Sequence, residues 1–263
     1  MNMRHLLTTI LLTLTLAALA LATGCASEEQ PALERVKQNG EISFAMSGGY
    51  PPFNFYNEQN DLVGFDVDVA NEVAQRLGVR FIPVTTEWSG IIEGLRSGAY
   101  DGILGSMAVT PERRKVVDFS SPYYYSGAQL VVRQDASYQS PDELKGKTVG
   151  VVTGTTFEQD AKQLGAGDVR LYKDDNQTLL ELDNGVVDAV ITDRVVGVNA
   201  QSGNRFNVRL LGSPLRSEDI AVVFKKDAGG LREAVNAILA TMHEDGTLAS
   251  ISRKWLDVDV TTK

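Results

Sequence analysis

One twelve-residue pattern occurs twice in the chain, and it narrows the folds open to it. "LRSGAYDGILGS" (residues 95–106) and "LDNGVVDAVITD" (182–193) align without a gap, 87 residues apart, pairing Leu95 with Leu182, Gly98 with Gly185 and Asp101 with Asp188. Each copy reads as a helix end, a glycine that closes it, and an apolar strand. The surroundings repeat too. The first half predicts a strand over 41–49 running into a glycine turn, a helix over 66–78, a strand over 79–85, a helix over 89–98 and a buried strand over 100–106. The second half predicts strand 147–154, helix 156–165, strand 169–174, helix 177–185 and strand 187–193. Helical connections between strands suit parallel pairing, so the fold class is α/β with two parallel-sheet lobes.

"YSGAQLVVR" (125–133) leads out of the first lobe and "AVVF" (221–224) leads back, making a hinge of two adjacent strands. The two helices that follow do not start a third repeat. Lobe 1 is therefore expected over 41–126 plus 217–263, and lobe 2 over 127–216. In parallel sheets, ligands gather beyond the carboxyl ends of the strands. That rule selects the loops 47–50, 105–113, 153–156 and 192–194, two from each half. A ligand touching all four lies between the lobes.

The N-terminus follows a different logic. Leu6–Leu21 is a nearly unbroken apolar run that breaks at "LATGC", so residues 1–24 read as a secretory signal. The small residues before Cys25 resemble a bacterial lipobox, in which that cysteine is lipidated, although Ala22 stands where leucine is more usual. Residues 25–40 read as a polar tether and the start of the fold. A single acyl anchor would hold the domain at the periplasmic or cell-surface face of a membrane without inserting it. Cys25 is the only cysteine, so no intramolecular disulfide is possible. With 34 acidic against 25 basic residues and a net charge of −9, the chain has no basic run to bind nucleic acid.

"GSMAVTPERRKVVDFS" (105–120) carries the sharpest chemical signal. Thr110 suits an N-cap and Pro111 the first helical position. Glu112 matches the positive end of the helix dipole, but Arg113 does not. A cation there wants an anion. The bland reading is a surface arginine, solvated or paired with Glu112 or Asp118. The sharper one is an arginine that points into the cleft and holds a ligand carboxylate.

Four segments in order, "GFDVDVANEVAQRLG" (64–78), "VTPERRKVVDFSSPYY" (109–124), "DELKGKTVGVVTGTT" (142–156) and "EDGTLASISRKWL" (244–256), resemble the bacterial extracellular solute-binding proteins of family 3, which serve ABC importers of polar amino acids. The resemblance spans essentially the whole chain after the signal. It implies a two-lobe periplasmic-binding-protein fold of type II, a monomer without cofactor, and an ABC permease as partner. It also implies site roles. Arg113 would fork onto the ligand's α-carboxylate, helped by backbone N–H groups near Ala108 and Thr156. Asp193 would receive the α-ammonium together with the Ser106 carbonyl, and Tyr50 and Trp88 would sandwich the side chain. Ser47 and Thr153 complete the binding loops. Two positions depart from the family. Ala108 stands where Ser or Thr is common, and Ser47 where binders of cationic amino acids often have an acid. Both losses weaken contacts to positive charge, which favours an uncharged or polar amino acid; Glu87 is an acid near the side-chain pocket.

Other readings stand beside these. Asp193 also suits the cap of a helix opening at Arg194, and Tyr50 and Trp88 suit a core. Asp66 and Asp68 look like a catalytic pair but read as structural, bonding backbone and the neighbouring helix start. Tyr123–Tyr125 reads as hinge and lobe packing. The same fold hosts a cyclohexadienyl dehydratase, yet Asp193 would repel a dicarboxylate such as prephenate. His243, the only histidine after the signal, reads as a solvated helix residue, and no metal cluster or nucleophile–base pair is visible. The expectation is binding without catalysis. A ligand-sensing partner of a membrane receptor would bind in the same way.

Overall fold

A computed structural model describes residues 31–203 and 205–263; the expected signal over 1–24 and the lipidation expected at Cys25 lie outside them. The first half contains α1 (Ala32–Asn39), β1 (Glu41–Met46), β2 (Gly49–Tyr50), β3 (Asn54–Tyr56), β4 (Leu62–Val63), α2 (Phe65–Leu77) and β5 (Arg80–Thr85). A 3₁₀ turn at Trp88–Gly90 then enters α3 (Ile91–Ser97), followed by β6 (Gly102–Ile103), α4 (Pro111–Arg114) and β7 (Asp118–Arg133). The second half has a 3₁₀ turn at Pro141–Leu144, then β8 (Thr148–Val152), α5 (Phe157–Leu164), β9 (Asp168–Tyr172), α6 (Asp175–Asp183), β10 (Ala189–Asp193) and α7 (Arg194–Ser202). β11 (Val208–Phe224), α8 (Gly229–Glu244) and α9 (Thr247–Leu256) close the chain.

The main sheet has the order β5-β1-β6-β11-β7-β10-β8-β9. β1 runs parallel to β5 and β6, and β8 runs parallel to β9 and β10. Counted outward from the central pair, each half places its third strand, then its first, then its second. The duplicated sequence pattern is thus a duplicated topology. The two parallel blocks are not separate sheets, however, because antiparallel pairing of β6 with β11, β11 with β7, and β7 with β10 joins them.

The joining strands are longer than the sequence predicts, at 16 residues for β7 and 17 for β11. Pro122 and Pro214 and the polar residues around them break the alternation that marks a strand. In the fold those residues sit at register shifts, one between Leu211 and Arg216, where Gly212 takes φ 66°. The second-half strands are covered on both faces. Val149, Val151, Ala189 and Ile191 pack in one cluster with Leu130 and Val132, while Val190 and Val131 turn to the opposite one. Burial on both faces explains the near-continuous apolar runs. α2 buries Phe65, Val69 and Val73 at helical spacing and ends at Gly78 in the left-handed conformation. The small antiparallel sheet β2-β3-β4 was not legible in the sequence, since strands of two or three residues show no period.

Candidate functional site

The site begins where β6 ends. The chain turns there through Ser106, whose φ of 62° is unusual for a residue with a side chain. Hydrogen bonds hold the turn. The Ser106 N–H donates to the Tyr123 hydroxyl (3.0 Å), and its hydroxyl donates to Asp66 Oδ2 (2.9 Å). Tyr123 donates to Asp66 Oδ1 (2.6 Å), and Asn54 Nδ2 donates to Asp66 Oδ2 (2.7 Å). Asn54 Oδ1 in turn accepts from the Ser47 hydroxyl (3.1 Å) and the Gly48 N–H (2.9 Å). One buried carboxylate therefore fixes both first-half loops. Burial pushes Asp66 up to about 6, against the hydrogen bonds from Tyr123, Asn54 and Ser106. Asp68 accepts from Lys254 Nζ (2.6 Å) and Trp255 Nε1 (2.7 Å), fastening α2 to α9. Both acids are structural, as expected. Their partners are mostly side chains brought in from other elements, not local backbone.

Arg113 sits in α4, a single turn. The Thr110 hydroxyl accepts from the Arg113 N–H (3.1 Å) and Pro111 takes the first position, as the sequence predicts. The half-buried guanidinium donates to the carbonyls of Ala108 (2.9 Å) and Gly154 (3.2 Å) and lies 5.8 Å from the Trp88 ring centre. Among the described residues no carboxylate is within ion-pair distance of it, and Asp118 is instead paired with Lys226 at 2.8 Å. The surface-pair reading of Arg113 therefore fails. Burial pulls its pKa down, opposed by the nearby Glu218 charge.

The second half contributes Asp193, at the junction of β10 and α7. Asp193 caps the helix, its Oδ1 accepting from the Val195 N–H (2.7 Å), and it also lines the cavity, so the two sequence readings are compatible. Burial pushes it up to about 7; hydrogen bonds from Ser126 and Val195 oppose this, and the Glu218 charge adds to it. The Thr156 hydroxyl donates to Glu218 Oε1 (2.7 Å), which Arg216 Nη1 also approaches (2.8 Å). Arg216 forks onto Asp160 at 2.8 and 2.6 Å. Asp175 accepts from the Thr192 hydroxyl and is pushed by burial up to about 6.

These residues enclose a cavity of about 50 Å³. Ser47, Tyr50, Trp88, Ser106, Ala108, Arg113, Thr156 and Asp193 all line it. Thr153 does not: its hydroxyl donates to the Tyr172 carbonyl (3.1 Å), away from the cleft. Sequence reasoning missed Lys173, Asp174, Asp175 and Glu218, which line the same space. The halves are closed on one another, since Arg113 reaches the Gly154 carbonyl and Lys173 Nζ lies 3.0 Å from Glu87 Oε1. A cation and a carboxylate facing one small cavity suit the two charges of an α-amino-acid head. His243 is exposed on α8, remote from this chemistry. No helix among the described residues is long and apolar enough to cross a membrane.

The family model "Bacterial extracellular solute-binding proteins, family 3" matches residues 42–258. The L-cystine-binding protein TcyJ of Escherichia coli (strain K12) is 34% identical over 250 residues, 93% of this chain and 94% of its own. A crystal structure of a mutant of ArgBP from T. maritima superposes with a TM-score of 0.81 at 32% identity, covering 86% of this chain and 99% of that one. The ancestral amino acid-binding protein AncCDT-1, a precursor of cyclohexadienyl dehydratase, gives a TM-score of 0.81 at 32% identity, covering 85% and 99%. That neighbour is itself a binding protein, and the dehydratase reading is not favoured.

Proposed function

This chain belongs to the bacterial extracellular solute-binding proteins of family 3, and we propose that it carries an α-amino acid between its lobes to the permease of an ABC importer. The observation that carries the reading is Arg113, a half-buried guanidinium without an ion pair among the described residues, sharing one cavity with the buried carboxylate of Asp193. Arg113 takes the ligand carboxylate. Asp193 and the Ser106 carbonyl take the ammonium, and Tyr50 and Trp88 flank the side chain. The ligand docks on lobe 1 (41–126 plus 217–263), and lobe 2 (127–216) closes over it about β7 and β11, a hinge motion of the kind known in periplasmic binding proteins. Only contacts made in the closed form drive closure, which gives Asp193 a role in closing as well as in affinity. Binding is not followed by turnover. The protein works as a monomer, tethered outside the cytoplasmic membrane through lipidated Cys25, and the missing hydroxyl at Ala108 favours an uncharged or polar amino acid.

The test is thermal unfolding of refolded, ligand-stripped protein against the twenty amino acids and prephenate. A ligand at a hundred times its Kd stabilises by about 2.7 kcal/mol, or roughly 5–10 °C for a chain of this size. One or a few amino acids should give that shift, and Arg113→Ala should abolish it while far-UV circular dichroism is unchanged. A shift with prephenate alone, or an undiminished shift in Arg113→Ala, overturns the reading.

A further inference from the structure

The cavity that holds Arg113 and Asp193 does not end at Trp88. A second chamber of about 320 Å³ adjoins it, against about 50 Å³ for the inner one by the same measure. Ser47, Gly49, Trp88, Lys173 and Asp174 line both. One water occupies roughly 10–15 Å³ on such a scale, so the inner space suits a charged head and little more. A longer side chain has to pass Trp88 into the outer chamber.

The outer chamber has its own charge pattern. Lys173 Nζ lies 3.0 Å from Glu87 Oε1, and Asp174 is the next residue along. The hydrogen bond and charge of Glu87 raise the Lys173 pKa, and Asp174 adds to this. One Asp174 oxygen is committed to the cap of α6, accepting from the Gln177 N–H (2.9 Å), so Glu87 is the acid free to change partner. Glu87 and Lys173 are both well exposed, and a pair of that kind contributes little on its own. Exchanging it for ligand charges therefore costs little.

Resting on the function proposed above, we propose that the outer chamber is a second ligand subsite and that it takes another amino-acid head. The ligand class is an extended molecule with an ammonium and a carboxylate at both ends. Its far carboxylate meets Lys173 and its far ammonium meets Glu87. A purely cationic tip would face Lys173, and a purely anionic one would face Glu87 and Asp174. A zwitterionic tip replaces the ion pair charge for charge.

Calorimetric titration of the purified, ligand-stripped protein with L-cystine, L-arginine, L-glutamine and L-alanine tests this, in the wild type and in Glu87→Gln and Lys173→Gln. L-cystine should bind about tenfold or more tightly than each of the others, and each variant should lose about tenfold for L-cystine, the scale of one charge-assisted contact. Undiminished L-cystine affinity in both variants overturns the subsite, as does tighter binding of L-arginine or L-glutamine. Binding of L-alanine as tightly as L-cystine sinks the subsite alone. Failure of all four to bind sinks the functional reading with it.

Discussion

The two copies of the repeated segment behave alike at the helix end and differently at the strand end. Gly98 and Gly185 both take positive φ, at 83° and 74°. Their N–H groups donate to the Leu95 and Leu182 carbonyls at 3.0 Å, and the next N–H groups, of Ala99 and Val186, donate to Gly94 and Glu181 at 3.0 and 2.9 Å. Asp101 Oδ2 accepts from the Ser43 N–H of β1 (2.8 Å), and Asp188 Oδ2 accepts from the Thr148 N–H of β8 (2.9 Å). The copies part at their last position. Ser106 turns left-handed, is held by Asp66, and leads through Met107–Thr110 to α4 and its Arg113. Asp193 caps a helix that starts at once. The ends of the duplicated segment therefore lead to a cation, Arg113, in one copy and a carboxylate, Asp193, in the other, while Glu218 and Lys173 bring the opposite sign to each lobe. Opposite charges at the two loop ends suit the two charges of a zwitterionic ligand.

The largest expected effects test that charge division. Asp193→Asn should weaken ligand binding on the order of a hundredfold, whereas Ser106→Ala at the equivalent position should cost about tenfold or less, because it removes only a supporting hydrogen bond to Asp66. Isothermal titration measures both, and equal losses would mean the two loop ends are not divided by charge. With Asp193 near 7, the ligand-free site is mostly protonated at pH 6 and mostly ionised at pH 8. Only the carboxylate accepts the ammonium, so affinity should fall about tenfold from pH 8 to pH 6 in the wild type and lose most of that dependence in Asp193→Asn. Stability has the opposite slope. A carboxyl raised in the folded state binds more protons there than in the unfolded chain, so ligand-free stability falls as pH rises from about 4 to 7. Asp66 and Asp175 act in the same direction. Asp193→Asn should accordingly raise the ligand-free Tm at pH 8 and change it little at pH 4.

A smaller effect tests the shared scaffold. Asp101→Ala and Asp188→Ala each free a backbone N–H of the neighbouring strand, at a cost of about 1–3 kcal/mol. Both should lower Tm by several degrees, to a comparable extent, with ligand affinity unchanged. A loss confined to one variant would break the equivalence of the copies. The smallest effect is at the glycines. Gly98→Ala should cost about 1 kcal/mol for the left-handed backbone alone, since an added Cβ there meets nothing within 4 Å. Gly185→Ala should cost more, because its Cβ would collide with the Arg133 guanidinium. Equal Tm losses in denaturation would show that Arg133 swings clear.

By itself, the amino-acid pattern did not reach the β2-β3-β4 sheet or the full length of β7 and β11. It was enough for the longer helices and the parallel strands of both halves, for the glycines that close the helices, and for the loops that face the cleft. Those features depend on residues a few positions apart, through periodic burial and caps such as Thr110 and Gly78. It also marked Arg113, because a cation in the first turn of a helix opposes the dipole there. Tertiary structure decided the rest. Glu218 joins the site only because β11 returns beside β7, and Lys173 because β9 ends opposite Glu87. Thr153 leaves the site because the Tyr172 carbonyl, on the neighbouring strand, takes its hydroxyl. Asp66 reads as structural from the sequence, but with backbone groups and the neighbouring helix start as its partners; only the fold brings Asn54, Ser106 and Tyr123 around it. Periodicity says which face of an element is buried. It does not say which distant donor or acceptor arrives there, and a buried polar side chain turns toward the partner that satisfies it.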